Sequence, residues 1–211
     1  MPKIVDHDER RRAIAEAVLR LVAREGVRGA SLRSVAREAG WSTGMINHYC
    51  GDKRALLLTA LREATRGVGE RMASIQAHER GEDRVRALLE AGMPLDDERA
   101  ATCRIFYHLS SAGINDPGLG KELASYYAWW RLQVRVAVEH GQGEGRFQAF
   151  DAQSLSDSLV GLAEGLGVQG LFDPDGMDAE RLRCDLELAV DVLARATARN
   201  PNARKKGTSH V

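Results

Sequence analysis

Residues 32–51 read LRSVAREAGWSTGMINHYCG, and this stretch decides the fold. Ser31 stands where its hydroxyl can cap a short helix from Leu32 to Ala39. Gly40 stops that helix at a point where the turn needs a positive φ, a conformation costly for a residue with a Cβ. A further short helix starts near Ser42 or Thr43 and ends around Cys50 and Gly51. Ala36 is small where the two helices must cross, and Leu32, Val35, Ala39, Trp41 and Ile46 supply the apolar contacts that lock them together. Two short helices joined by a tight turn form the unit that places its second helix in a major groove.

The helical period continues on both sides. Upstream, Ile14, Ala17, Val18, Leu21 and Val22 make one apolar face of a helix ended by Gly26, with Gly29 extending the turn. Downstream, Asp52 caps a longer helix with Leu57, Leu61, Ala64, Val68, Met72 and Ile75 along one side. Further helices are expected near 80–93, 97–113, 118–141, 151–171 and 178–199, with breaks at Pro94, Asn115 to Gly118, Gly141 to Gly145 and Asp173 to Gly176. No alternating strand pattern is found. The expected fold is therefore all-α with about nine helices. It comprises a three-helix helix-turn-helix domain over 1–51, a linking helix over 52–76 and a C-terminal helical bundle over 77–199. Residues 200–211, with Arg204, Lys205 and Lys206 and no apolar face, are expected to be a disordered basic tail.

Composition agrees with a helical protein: 44% of the 211 residues are apolar and only 5% aromatic. The net charge of zero hides an asymmetry. Residues 1–66 carry thirteen Lys/Arg against eight Asp/Glu, while residues 67–211 carry seventeen against twenty-two. An electropositive head on an acidic body suits a polyanion bound at one end. Cys50, Cys103 and Cys184 are far apart and form no CxxC, which argues against a disulfide framework or a zinc site and for a reducing cytoplasm. The charged N-terminus (Asp6, Asp8, Glu9, Arg10 to Arg12) is unlike a secretory signal, and no apolar run approaches the roughly 18 residues of a membrane span. HExxH, GxGxxG, P-loop and GxSxG patterns are absent, and Cys103 and His108 lie five apart, off a common helix face. No catalytic centre, metal or cofactor is expected.

At residues 32–51 the chain resembles the TetR family of bacterial repressors. The run STGMINHY followed by GDKRALL resembles most closely its choline-responsive BetI-like branch. The resemblance covers the head, about residues 8–65, over its whole length. It reaches the body more loosely, through the Asp116-Pro117 pair, the paired Trp129 and Trp130, and GLAEGLGVQGLFDP over 161–174. It implies that Ser42, Thr43, Gly44 and Met45 open a recognition helix against base edges, Gly44 permitting close backbone approach. Asn47 and His48 would face the groove or its wall. Tyr49 and Lys53 would contact phosphates, Ser31 would hydrogen-bond one from a helix N-terminus, and Arg33 and Arg37 would add charge nearby. Cys50 departs from the family, which usually has an aromatic there. Taken alone, His48 reads equally as a surface histidine and Met45 as a core residue; their register gives them meaning.

The body offers two further readings. Phe106, Tyr107, Tyr126, Trp129, Trp130 and Phe172 gather most of the aromatics, with Cys103 and Glu164 among them. Aromatic faces attract cations, and quaternary ammonium ligands use such cages, so these residues are a candidate effector pocket; plain core packing is the alternative. Glu164 pairs either with a cationic ligand or with a structural partner. The helix at 118–141 carries two apolar stripes, one with Leu119, Leu123, Tyr126, Tyr127, Trp130 and Val134, the other with Trp129, Leu132 and Val136. It is expected to be buried on both sides. Leu155, Leu159, Leu162 and Leu166, with Leu182, Leu186, Val190 and Leu193, are candidates for a four-helix interface across a two-fold axis. Gly161 and Gly165 suit close helix approach there.

The expected protein is a homodimer that binds a palindromic double-stranded operator and is released by a small-molecule effector, with no membrane partner. Two rivals stand beside it: a constitutive DNA-binding regulator with a filled core, and a small helical enzyme using Cys103 or His108. Operator position, not the chain, decides between repression and activation.

Overall fold

An amphipathic helix needs neighbours along its apolar stripe, and the order of helices supplies them. A computed structural model of the chain describes residues 7–75 and 80–196. Among these residues there are nine α-helices and no strand. At the amino end lie α1 (His7–Gly29), α2 (Leu32–Ala39), α3 (Thr43–Cys50) and α4 (Lys53–Ser74). The body is built from α5 (Gly81–Glu90), α6 (Asp97–Gly113), α7 (Pro117–Gly143), α8 (Ala152–Phe172) and α9 (Ala179–Arg195). The expected basic tail lies outside the described residues.

Local capping explains most boundaries. The Ser31 hydroxyl accepts from the Ser34 N–H at 3.1 Å, and the Ser31 N–H donates back to the Ser34 hydroxyl at 2.8 Å. Gly40 adopts φ +70°, and the chain leaves α2 through it. Ser42 caps α3 and Asp52 caps α4, each accepting from the third residue onward at 3.1 and 2.7 Å. Asp96, Asp116, Asp151 and Asp178 do the same for the last four helices. Gly26, at φ +70° and ψ 177°, breaks α1 where the sequence marks its end, and one more turn follows to Gly29. α5 stops at Glu90, short of the expected 93, and Ala91 to Met93 turn ahead of Pro94, whose ring disfavours helix in the residue before it.

Two apolar clusters hold the molecule, and neither respects a border between head and body. The first joins Ile14, Val18 and Leu21 of α1 to Val35, Ile46, Leu56 and Leu57, and also to Ile105, Phe106 and Leu109 of α6 and Leu119 and Leu123 of α7. The head is thus seated on the body through continuous core. The second joins Val68 and Met72 of α4 to α5, the middle of α7, α8 and α9.

Leu155, Leu159, Leu182, Leu186 and Val190, expected at a subunit interface, are fully buried in this second cluster within one chain. A leucine row signals that a helix face is covered, not whether its own chain or another covers it. The residues that α8 and α9 turn outward are instead Gly161, Leu162 and Gly165, and Leu188 and Val192. Leu162, Leu188 and Val192 are 37%, 63% and 60% exposed. Leu166 and Leu193 are half-buried at the margin. The second stripe of α7 also differs from expectation: Leu132 and Val136 stay open to solvent, and only Trp129 is partly covered.

Candidate nucleic-acid interface and effector cavity

α3 buries only what its seat requires. Ile46 and Cys50, one turn apart, face the core. Thr43, Gly44, Met45, Asn47 and His48 are exposed and Tyr49 is half-buried. Cys50 fills its place as a small apolar residue, its thiol pushed up by burial, with Sγ 4.0 Å from the Thr59 hydroxyl. A Cβ built on Gly44 would meet only the Ser42 Oγ, at 3.9 Å, so the fold does not require glycine there.

Around α3 the polar groups lie at its edges. The Tyr49 hydroxyl is 3.3 Å from Nδ1 of His7, and Lys53 Nζ donates to the Arg28 carbonyl at 3.4 Å. Arg10 stacks 4.7 Å over the Trp41 ring. Ser31 is half-buried and its hydroxyl is already engaged in the α2 cap.

Several arginines elsewhere in the head are neutralised. Arg20 and Arg24 both reach Glu38, at 3.1 and 2.8 Å, and their hydrogen bonds hold that carboxyl down at about 2. Arg54 pairs with Asp116 at 2.5 Å, and Arg62 grips Glu122 at 2.6 and 2.8 Å, tying α4 to the start of α7. Arg33 and Arg37, by contrast, are exposed and have no carboxylate partner among the described residues. These two exposed arginines stand on α2, the helix that packs against α3.

In the body, six of the eight candidate pocket residues line one cavity: Cys103, Phe106, Tyr107, Tyr126, Trp130 and Glu164. The Phe106 ring centroid lies 5.2 to 5.8 Å from those of Tyr107, Tyr126 and Tyr127. The Tyr107 hydroxyl donates to the Glu164 carbonyl at 3.3 Å, and the Trp130 indole N–H donates to the Leu88 carbonyl at 3.0 Å. Burial raises the Glu164 carboxyl above the ordinary carboxylate range, and raises the Tyr107 and Tyr126 hydroxyls as well. Its volume is about 30 Å³, room for about two waters.

The two other candidates are placed elsewhere. Phe172 ends α8 and is 86% exposed, on an outer groove shared with Arg28, Arg104 and His108. As the last helical residue it has no following turn to fold it inward. Trp129 touches the Tyr126 ring but lies on the outer side of α7, against Gly69 of α4. Sequence reasoning missed Tyr127, whose hydroxyl donates to the Glu164 carboxylate and whose ring lines the cavity. The run Tyr126-Tyr127-Ala128-Trp129-Trp130 contained the signal, since residues 127 and 130 share a helix face. Arg71 and Arg99 also line the cavity, and Arg71 Nε is buried without a partner. Cys103 and His108 open onto different spaces, and burial pushes the Cys103 thiol up to about 12. No group of His, Cys, Asp and Glu able to hold a metal occurs among the described residues, and no helix there is long and apolar enough to cross a membrane.

A helix-turn-helix with an uncommitted outer face, set on a helical body that encloses an aromatic cavity, defines a one-component regulator. Comparison with known proteins gives the family. Residues 14–60 match the profile of bacterial regulatory proteins of the tetR family, and residues 81–197 match that of the BetI-type transcriptional repressor C-terminal domain. The chain belongs to the TetR family and is a DNA-binding transcriptional regulator with a BetI-type body. It is 25% identical to the transcriptional regulator PksA of Bacillus subtilis over 184 residues, covering 87% of this chain and 89% of that one. It is 29% identical to the transcriptional regulator BetI of Burkholderia lata over 195 residues, covering 92% and 96%. Among solved structures, a transcriptional regulator from Saccharomonospora viridis in complex with choline superposes with a TM-score of 0.78 at 25% identity, over 88% of this chain and 97% of that one.

Proposed function

We propose that the protein is a cytoplasmic homodimeric repressor whose two α3 helices read a palindromic operator and which a small organic cation releases. The division of labour follows the expected borders: residues 1–51 bind DNA, 52–76 transmit and 77–199 sense and dimerise. The outward face of α3 carries the reading. Thr43, Gly44, Met45, Asn47 and His48 are exposed, and Arg33 and Arg37 stand exposed on α2, which packs against α3. Ser42, at the helix start, approaches with them. Tyr49, Lys53 and Ser31 then position the helix through phosphates.

The dimer forms through the outer faces of α8 and α9. Gly161 and Gly165, one turn apart, have nothing within 4 Å of a built Cβ, so nothing inside the chain accounts for glycine in mid-helix. Each costs about 1 kcal/mol against Ala. Close approach of a second α8 offsets that, with Leu162, Leu188 and Val192 at its margin.

The effector's positive charge sits among Phe106, Tyr107, Tyr126, Tyr127 and Trp130, beside Glu164. Support comes from the aromatic cluster, from the half-buried carboxyl at its wall and from the likeness to a regulator holding choline. Leu61, Thr65, Val68 and Arg71 of α4 also line this cavity, so a ligand larger than 30 Å³ must displace α4 or its neighbours. Because α4 continues from the head, that displacement changes the spacing of the two recognition helices. The small volume favours one second reading, a constitutive regulator with a filled core.

Genome-wide DNA selection with the purified protein, repeated with Tyr49→Ala, Lys53→Ala and added tetramethylammonium, tests all of this. The expected result is a palindrome, weakened by each substitution and by the cation. No enrichment at moderate salt refutes the DNA-reading face; enrichment indifferent to the cation supports the constitutive reading.

A further inference from the structure

The cavity has a neighbour. A groove of about 600 Å³ runs along the surface between α4 and α7, lined by Gly69 and Ala73 on one side and Leu123 and Trp129 on the other. Leu61, Thr65 and Tyr126 line both this groove and the aromatic cavity, so Tyr126 is a partition between them. Its partners do not tie it down. Tyr107, Tyr127 and Trp130 are each held by a hydrogen bond from the hydroxyl or indole. The Tyr126 hydroxyl makes no hydrogen bond among the described residues. Tyr126 is held by ring contacts alone, to Phe106 at 5.2 Å and to Tyr127, Trp129 and Trp130 at 6.2 to 6.4 Å.

The groove's floor is apolar and its rim is charged. Gly69 leaves room for the Trp129 indole, which lies 3.8 Å from a Cβ built there. Arg62 and Arg66 at the rim are paired with Glu122, and with Glu63 and Glu70, so the groove presents no net charge for a polar ligand to answer. A space of this shape accepts hydrocarbon.

We infer that the natural effector has two parts: a compact cationic head that enters the aromatic cavity when Tyr126 swings aside, and an apolar tail that stays in the α4–α7 groove against Gly69, Ala73, Leu123 and Trp129. This rests on the cationic reading of the cavity given above. It adds that a bare head group is a weaker effector than the same head carrying a tail, because most of the available apolar surface lies outside the cage. It also makes the tail a wedge between α4 and α7, along the helix that carries the head.

Titration calorimetry of the full-length protein with tetramethylammonium and with octyltrimethylammonium, below its micelle concentration, tests the inference. A tail of eight carbons, partly buried, is expected to raise affinity by about 30-fold or more. Gly69→Leu fills the groove without entering the cavity, and is expected to reduce that gain to about threefold. Ala73→Leu, at a second place on the same wall, is expected to reduce it less. Equal affinity for the two ions overturns the inference and leaves the cationic cavity standing, as does a gain that survives both substitutions. If neither ion binds, the cationic reading falls, and the two-part effector falls with it.

Discussion

The head and the body use their chemically distinctive residues in opposite directions. α3 turns five of its eight residues outward and keeps only Ile46 and Cys50 in the core. The body turns Phe106, Tyr107, Tyr126, Tyr127 and Trp130 inward until about two waters' worth of space remains. A surface of the first kind is complete in the isolated chain and awaits a rigid partner. A cavity of the second kind is a compromise between packing and binding, since the residues that would hold a ligand already hold each other. The contrast teaches where substitutions should separate stability from binding: in the head they come apart, and in the body they are entangled.

The largest effect expected is on the body's packing. Trp130 is 3% exposed, hydrogen-bonded through its indole and pressed against Gly92, where a Cβ would lie 2.7 Å from the ring. Trp130→Ala is expected to cost about 3–5 kcal/mol in chemical or thermal unfolding. Retention of full stability would mean that the aromatic cluster is not core and would dissolve the contrast.

Gly44→Leu should act in the opposite manner. It is expected to lower operator affinity by about 100-fold, near 2.8 kcal/mol, by preventing close approach of α3 to the base edges. Thermal stability should stay level or rise, since the built Cβ meets only open space and the Ser42 Oγ. A loss of stability matching the loss of affinity would show that α3 is not an independent surface.

Gly40→Ala makes the complementary test within the head. At φ +70° an alanine is strained whatever room surrounds it, and the expected cost is about 1–2 kcal/mol in unfolding, with operator affinity following only through the folded fraction.

The smallest effect is on the titration of Glu164. Burial raises its carboxyl in the fold, so the folded protein keeps a proton that the unfolded chain gives up. That contribution to stability is present at low pH and is lost as pH rises from the ordinary carboxylate range through the raised value. Glu164→Gln should therefore flatten this part of the stability–pH profile while abolishing cation binding. An unchanged profile would remove Glu164 from the list of groups that the cavity perturbs.

Much of the head was legible in the sequence because its decisive signals are local. Ser31, Gly40, Ser42 and Asp52 each act within four residues, and the bounds expected for α2 and α3 match those observed. The number and order of the body's helices followed from its punctuation by Pro94, Asp116 and the Gly141–Gly145 break. The register of its faces did not follow. Leu159 and Leu162 carry the same side chain one turn apart, yet one is buried in the chain's own core and the other exposed, a difference decided by where α5 and α7 lie. Phe172 and Trp129 were drawn into the pocket by composition; helix phase and the end of α8 put them outside. The partnerless Arg71 Nε leaves no trace in any local pattern.

One junction far from both candidate sites bears on how they communicate. The start of α5 and the end of α7 cross so closely that a Cβ on Gly81 would fall on the Gly141 backbone, and Glu144 accepts from the Gly81 N–H at 2.8 Å. Glu82 pairs with Arg146, and Phe147 is wholly buried beside them. The opposite end of α7 meets α4 through the Arg54–Asp116 and Arg62–Glu122 ion pairs, with Leu119 and Leu123 packed in the first apolar cluster. A rigid rod pinned in this way is a lever with its fulcrum at Gly141. At 1.5 Å per residue Trp130 stands about 17 Å from that fulcrum and Asp116 about 37 Å. If α7 pivots there, a displacement at the cavity would be roughly doubled where Arg54 meets α7, from helix length alone.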